Sequence, residues 1–149
     1  RHWAAALLAT LWVVGCGGGG DAPEYPRAAV QGIVSLDGEP LPKGIIRFVP
    51  IDDTPGPKTS IAVANGQFNA PAEQGPVVGK HRIEIESTDH GGYPMDDEEA
   101  LNKLQEQGVR RIDAVRVPHY YNTHSQLTET VTADGPNEFQ FRLTNNRRQ

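Results

Sequence analysis

The sequence predicts an all-β domain: a single sandwich of about seven short antiparallel strands, with one short surface helix inserted near 96–107. Three observations predict it. Apolar residues recur at period two in several short stretches, the spacing of a half-buried strand. Asp-Gly and Asn-Gly dipeptides stand between those stretches, where tight hairpins need residues tolerant of positive φ. Sixteen Gly and twelve Pro in 149 residues also break the chain too often for a helical fold.

The elements follow in order. "AVQGIVSLDGEPL" places Val30, Gly32, Val34 and Leu36 on one face and Gln31, Ser35 and Asp37 on the other, with Ile33 breaking strict alternation. Asp37-Gly38 supplies a turn, and Pro40 and Pro42 bar a central strand immediately after it. "GIIRFVPI" is a second strand that turns Ile46 and Phe48 inward. "TSIAVANGQFNA" reads as a hairpin, with Ile61, Val63 and Phe68 around Asn65-Gly66. "GKHRIEIES" sets His81, Ile83 and Ile85 against Lys80, Arg82, Glu84 and Glu86. "SQLTETVTA" and "NEFQFRLT" are expected to pair around Asp134-Gly135. Glu129 interrupts the apolar side of the first, and Phe139, Phe141 and Leu143 form that of the second.

The segment 95–108, "MDDEEALNKLQEQG", has a helical pattern instead. Asp96 is placed to cap it, acidic residues fill the first turn, Glu99 and Lys103 are spaced i,i+4, and Gly108 stops it. Leu101 and Leu104 give a thin apolar stripe, which predicts a helix on the domain surface. The insertion as a whole spans 88–112, and "DHGGYP" is read as a mobile flank.

Ahead of the domain, Trp3 to Gly15 is an apolar run broken only by Thr10. As a helix, thirteen residues rise roughly 20 Å, short of the ~30 Å hydrocarbon core. The run reads as the h-region of an export signal whose n-region, Arg1 without a preceding Met, is expected to be incomplete. Val13-Val14-Gly15-Cys16 resembles the lipobox of bacterial lipoproteins. The resemblance implies cleavage before Cys16, the chain's single cysteine, and acylation of its thiol and amine. Two or more acyl chains anchor a protein stably where one does not. A chance cysteine in an ordinary signal and a cysteine buried in an N-terminal helix are the competing readings, and four glycines directly after it disfavour that helix. The expected organisation is therefore a signal peptide at 1–15, a Gly/Pro-rich tether at 16–28, the domain at 29–144 and a polar tail at 145–149. Gly17 is not the Asp that retains lipoproteins at the inner membrane of enteric-type bacteria, which favours the outer membrane.

"VQGIVSLDGEPLPKGIIRFVP" resembles the opening of transthyretin-like, or carboxypeptidase regulatory-like, domains: V-x-G-x-V, a DG-x-PL turn and a strand ending in Phe-x-Pro. With "VVGKHRIEI" and "VPHYYNTHSQLTETVTADGPNEFQFRL", residues 29–143 resemble the short envelope lipoproteins abundant in planctomycetes. Pro118, Tyr121, Asn122, Ser125, Leu127 and Thr128 stand at the positions of that family's tail motif. The resemblance implies an immunoglobulin-like sandwich and leaves the molecular role open.

Net charge of −5 and the absence of a basic stripe exclude nucleic acid as the expected partner. Losing Arg1 with the signal brings the charge to about −6, which disfavours lying flat on anionic headgroups. No G-x-S-x-G, H-E-x-x-H or P-loop is present, and the chain ends "LTNNRRQ" where the hydroxyisourate hydrolases of the transthyretin fold carry Tyr-Arg-Gly-Ser. A hydrolase is the least favoured reading. His81, His90, His119 and His124, "IDDTPG" and "DDEE" lack metal-site spacing, so neither metal nor cofactor is expected. "PHYYNTHS" is the candidate surface. Tyr120 and Tyr121 can stack on a sugar or anchor a protein contact, with Asn122 and His124 hydrogen-bonding beside them. The structural alternative, tyrosines that fix a loop entering a strand, is preferred. The expected protein is a lipid-anchored, non-catalytic interaction or structural module of the envelope, with a carbohydrate-binding module as the alternative.

Overall fold

The alternating stretches form eight strands: β1 (Val30–Leu36), β2 (Glu39–Pro40), β3 (Lys43–Pro50), β4 (Thr59–Ala64), β5 (Gln67–Ala70), β6 (Gly79–Ser87), β7 (Thr128–Val131) and β8 (Glu138–Leu143). One helix, α1 (Glu98–Glu106), lies between β6 and β7. The computed structural model describes residues 24–91, 98–108 and 114–146. The fold is the predicted all-β, sandwich-like domain. The two-residue β2 is the strand beyond the expected seven.

Turn chemistry fixes the local connections. Asp37 (φ 52°) with Gly38 (φ 89°), and Asn65 (φ 50°) with Gly66 (φ 74°), both adopt the paired positive φ of a two-residue hairpin turn. The first folds β2 onto the end of β1, and the second pairs Ala64 of β4 with Gln67 of β5. The sheet runs β1–β5–β4–β3–β6–β7, and β8 joins the remaining side of β1. β2 is confined to the margin, as its proline requires.

The sheet curls until its apolar face meets itself. Phe48 of β3 is fully buried, with ring centroids 6.3 Å from Phe68 of β5, 5.9 Å from Phe139 of β8 and 5.8 Å from the His81 imidazole of β6. Ile46, Ile83, Ile85, Val34 and Leu143 are among the residues buried with them in this core. Gly32 explains the glycine of the V-x-G-x-V pattern. It lies opposite Phe68 on one side and Phe139 on the other, and a Cβ there would overlap the Phe139 carbonyl oxygen and the Phe68 ring.

Two expectations are corrected. The strands are not all antiparallel, because β8 runs parallel to β1 from Gln31↔Glu138 to Leu36↔Leu143. Nor do the last two strands pair with each other: β7 pairs β6, and β8 pairs β1. The reason lies in the link between them. Asn137, 7% exposed, accepts from the Thr132 N–H (2.8 Å) and the Thr132 hydroxyl (3.2 Å) through Oδ1. Its Nδ2 donates to the carbonyls of Ala29 (3.0 Å) and Thr132 (2.9 Å). One amide thus joins the exit of β7 to the approach to β1. The chain leaving β7 is thereby held beside the start of β1, where β8 then pairs.

At the margins, the body takes in residues expected to be tether and tail. Ala28 is buried in the core, Arg27 bridges Val77, and the Arg27 guanidinium donates to the Gly75 carbonyl at 2.7 Å. The Asn145 N–H donates to Asp37 Oδ1 at 3.0 Å, so the body continues past β8. The signal segment and Cys16 lie outside the described residues, as does the proposed cap Asp96. Within α1, Glu99 and Lys103 form the expected pair at 3.0 Å, and Gly108 (φ 71°) follows the helix end.

Removing the Asn137 amide strands several buried polar groups at once. Asn137→Ala is therefore expected to lower unfolding free energy by about 3 kcal/mol, measured by urea denaturation. A loss under about 1 kcal/mol would show that water replaces the amide.

Candidate functional site

"PHYYNTHS" folds as a single 3-10 turn over His119–Tyr121, opened by Pro118 and closed by Asn122. It brings four aromatic rings into sequence. Tyr120 and Tyr121 have centroids 4.6 Å apart, His119 meets Tyr120 edge-on at 6.0 Å, and His124 meets His119 edge-on at 6.0 Å. His124 is exposed and its Nδ1 lies 3.2 Å from the Thr123 hydroxyl, whereas both tyrosines are half-buried and Tyr121 packs against the core.

The tyrosine hydroxyls have specific tasks. Tyr120 donates to the Thr144 carbonyl at 2.7 Å, and Tyr121 accepts from the Thr144 N–H at 3.1 Å. Thr144 directly follows β8, so the pair grips the end of that strand by both its backbone groups. Asn122 does not share the task. Its Nδ2 donates to Glu86 Oε2 at 3.0 Å, and Glu86 Oε1 pairs with Arg47 at 2.6 Å. Of the predicted set, Tyr120 and Tyr121 are brought together on Thr144, Asn122 is drawn to β6, and His124 stays apart on the surface.

The Arg47 hydrogen bond holds the Glu86 carboxyl below its ordinary range, and the Asn122 amide adds to this. The guanidinium is raised in return, chiefly by the same bond. Beside this group, a cleft of about 450 Å³ is lined by Glu86, Asp89, His90, Val115 and Asn122. Asp89 sits at the base of the inserted segment and accepts two backbone N–H groups, from Gly91 and from Val115, each at 3.0 Å. Those bonds, Val115 first, depress its pKa. They also hold residues 89–91 of the predicted mobile flank to the far side of the insertion.

A second surface lies on the outer face of β8, β1, β5 and β4. Ile33, 45% exposed, is the single large apolar residue exposed among the described residues. Its cross-strand neighbours are Gln67 and Gln140, with Gln31, Asn69 and Glu138 on the adjacent rung. These residues line a shallow groove of about 840 Å³. Gln31 donates to Glu138 at 2.6 Å. Alternation in "NEFQFRL" was a signal for which side chains face outward, but nothing local marks β8 as the strand that ends the sheet.

Among the described residues two buried side-chain nitrogens lack a hydrogen-bond partner, Arg82 Nε and Nε2 of the fully buried His81. Its Nδ1 lies 3.0 Å from the Gly79 carbonyl, its Nε2 has no hydrogen-bond partner, and burial lowers its pKa. Glu129, directly across on β7, has its pKa raised by burial. Among the described residues no three His, Cys, Asp or Glu side chains converge to hold a metal, and no helix is long and apolar enough to cross a membrane.

Against known proteins, the chain finds no matching family model, no matching curated protein and no matching solved structure.

The His81 environment sets a pH dependence. An imidazole whose folded pKa lies below its unfolded value of about 6.5 contributes stability that is complete above that pH and is lost as pH falls toward the folded pKa. Glu129, with a raised carboxyl pKa, acts with the opposite sign, losing stability as pH rises from about 4.5 through its folded pKa. Comparing the wild type with His81→Phe separates the two. The wild type is expected to lose more stability than the variant between about pH 6.5 and pH 5, read by urea denaturation at each pH. Parallel profiles would show that His81 is not the titrating group.

Proposed function

We propose that the chain is a lipid-anchored, non-catalytic module of the cell envelope that binds or holds a protein partner. Its anchor is Cys16, following an export signal, and its body is a transthyretin-like domain. The all-β curled sheet, with Gly32 held against the Phe68 ring and the Phe139 backbone, supports the transthyretin-like reading.

One observation favours a protein-interaction module over a carbohydrate-binding one. A sugar platform requires an aromatic face presented to solvent. Tyr120 and Tyr121 are instead half-buried, with both hydroxyls engaged on Thr144. Meanwhile β8 lies at the margin of the sheet, where unpaired backbone invites another chain.

The anchoring is tested by Cys16→Ser in cells that export and acylate lipoproteins. The wild type is expected in the membrane fraction and the variant in the soluble fraction. Full retention of the variant would overturn the assignment.

A further inference from the structure

The free edge of β8 has a composition that fits itself. Ladder bonds run from the Gln31 N–H to the Asn137 carbonyl (3.0 Å) and from the Asp37 N–H to the Leu143 carbonyl (2.9 Å). With the parallel register, they direct the backbone groups of Asn137, Phe139, Phe141 and Leu143 toward β1. Those of Glu138, Gln140 and Arg142 therefore point away from it, and no strand among the described residues pairs with them. The same alternation directs Thr144 outward, and its N–H and carbonyl are the two groups already taken by Tyr121 and Tyr120.

We propose that two copies of this chain pair through their β8 strands, antiparallel and centred on Gln140. Around that two-fold axis Gln140 faces Gln140 of the second copy, Glu138 faces its Arg142, and Arg142 faces its Glu138. Every outward backbone group of the three residues gains a partner. Both ion pairs are directly cross-strand, where opposite charges stabilise and like charges repel. The register also ends cleanly. The pairing stops at Arg142, because the outward backbone groups of Thr144 are already occupied by the two tyrosines and the residue next in line on the second copy, Pro136, has no N–H to donate. On the inner face, Phe139 is the most exposed core residue at 9% and gains Phe141 of the second copy as its neighbour. On the outer face, the rung Gln67–Ile33–Gln140 continues into its two-fold equivalent. Such an interface is isologous, as closed dimers require.

The pairing names the partner for the exposed strand invoked above and rests on that part of the reading. It is independent of the anchor, so a monomeric result leaves the Cys16 test standing. The experiment is sedimentation equilibrium of the full chain in neutral detergent over a concentration series. Wild type is expected to associate reversibly to a dimer. Glu138→Arg and Arg142→Glu each place two like-charge contacts across the axis, and each is expected to weaken association roughly tenfold. An equimolar mixture of the two variants restores opposite charges at every contact and is expected to recover the dimer. Gln140→Pro removes an N–H that points away from β1, so it is expected to abolish the dimer while thermal unfolding shows the fold retained. A wild type monomeric throughout the series would overturn the proposal. So would variants that dimerise as the wild type does, or a mixture that shows no recovery.

Discussion

The parallel contact of β1 with β8 is the constraint on which the rest of this domain depends. It joins residues about a hundred positions apart, and with it the curled sheet has both walls of its core. Parallel neighbours require a long crossover, here the whole chain between β1 and β8. The Asn137 amide fixes where the crossover ends by binding Ala29 and Thr132 together. Tyr120 and Tyr121 fix the other end of β8 through Thr144. Three polar side chains hold a strand whose apolar residues fill the core.

Much of the fold was legible because it is set by local chemistry. Positive-φ residues at 37–38 and 65–66 announce their turns, and alternation correctly assigns Val34, Ile46, Phe48, Ile83, Ile85 and Phe141 to the interior. Strand partnership was not legible. Alternation in β7 and β8 is equally compatible with a hairpin, and the decision rests on how one buried asparagine distributes its hydrogen bonds. The aromatic segment was found by composition, but its role depends on Thr144, more than twenty residues away. Asn122 looked like a neighbour of the tyrosines and instead completes the Arg47–Glu86 pair. Long-range partners of this kind leave no mark in a local pattern.

His81 shows how the core accommodates a polar group. Its imidazole stands in the place of an aromatic residue, edge-on to Phe48, with one nitrogen turned back to its own strand. Such a ring packs well while neutral and poorly once charged.

Asp89 fixes how the inserted segment leaves and rejoins the sheet. A single carboxylate holds the backbone at Gly91 and at Val115, so the ends of the intervening segment are fixed next to each other whatever lies between them. Lengthening a loop whose ends are already joined adds little entropic cost, about 0.6 kcal/mol for each doubling. The register of the strands on either side is thereby set by the two anchored ends and not by the length of chain between them.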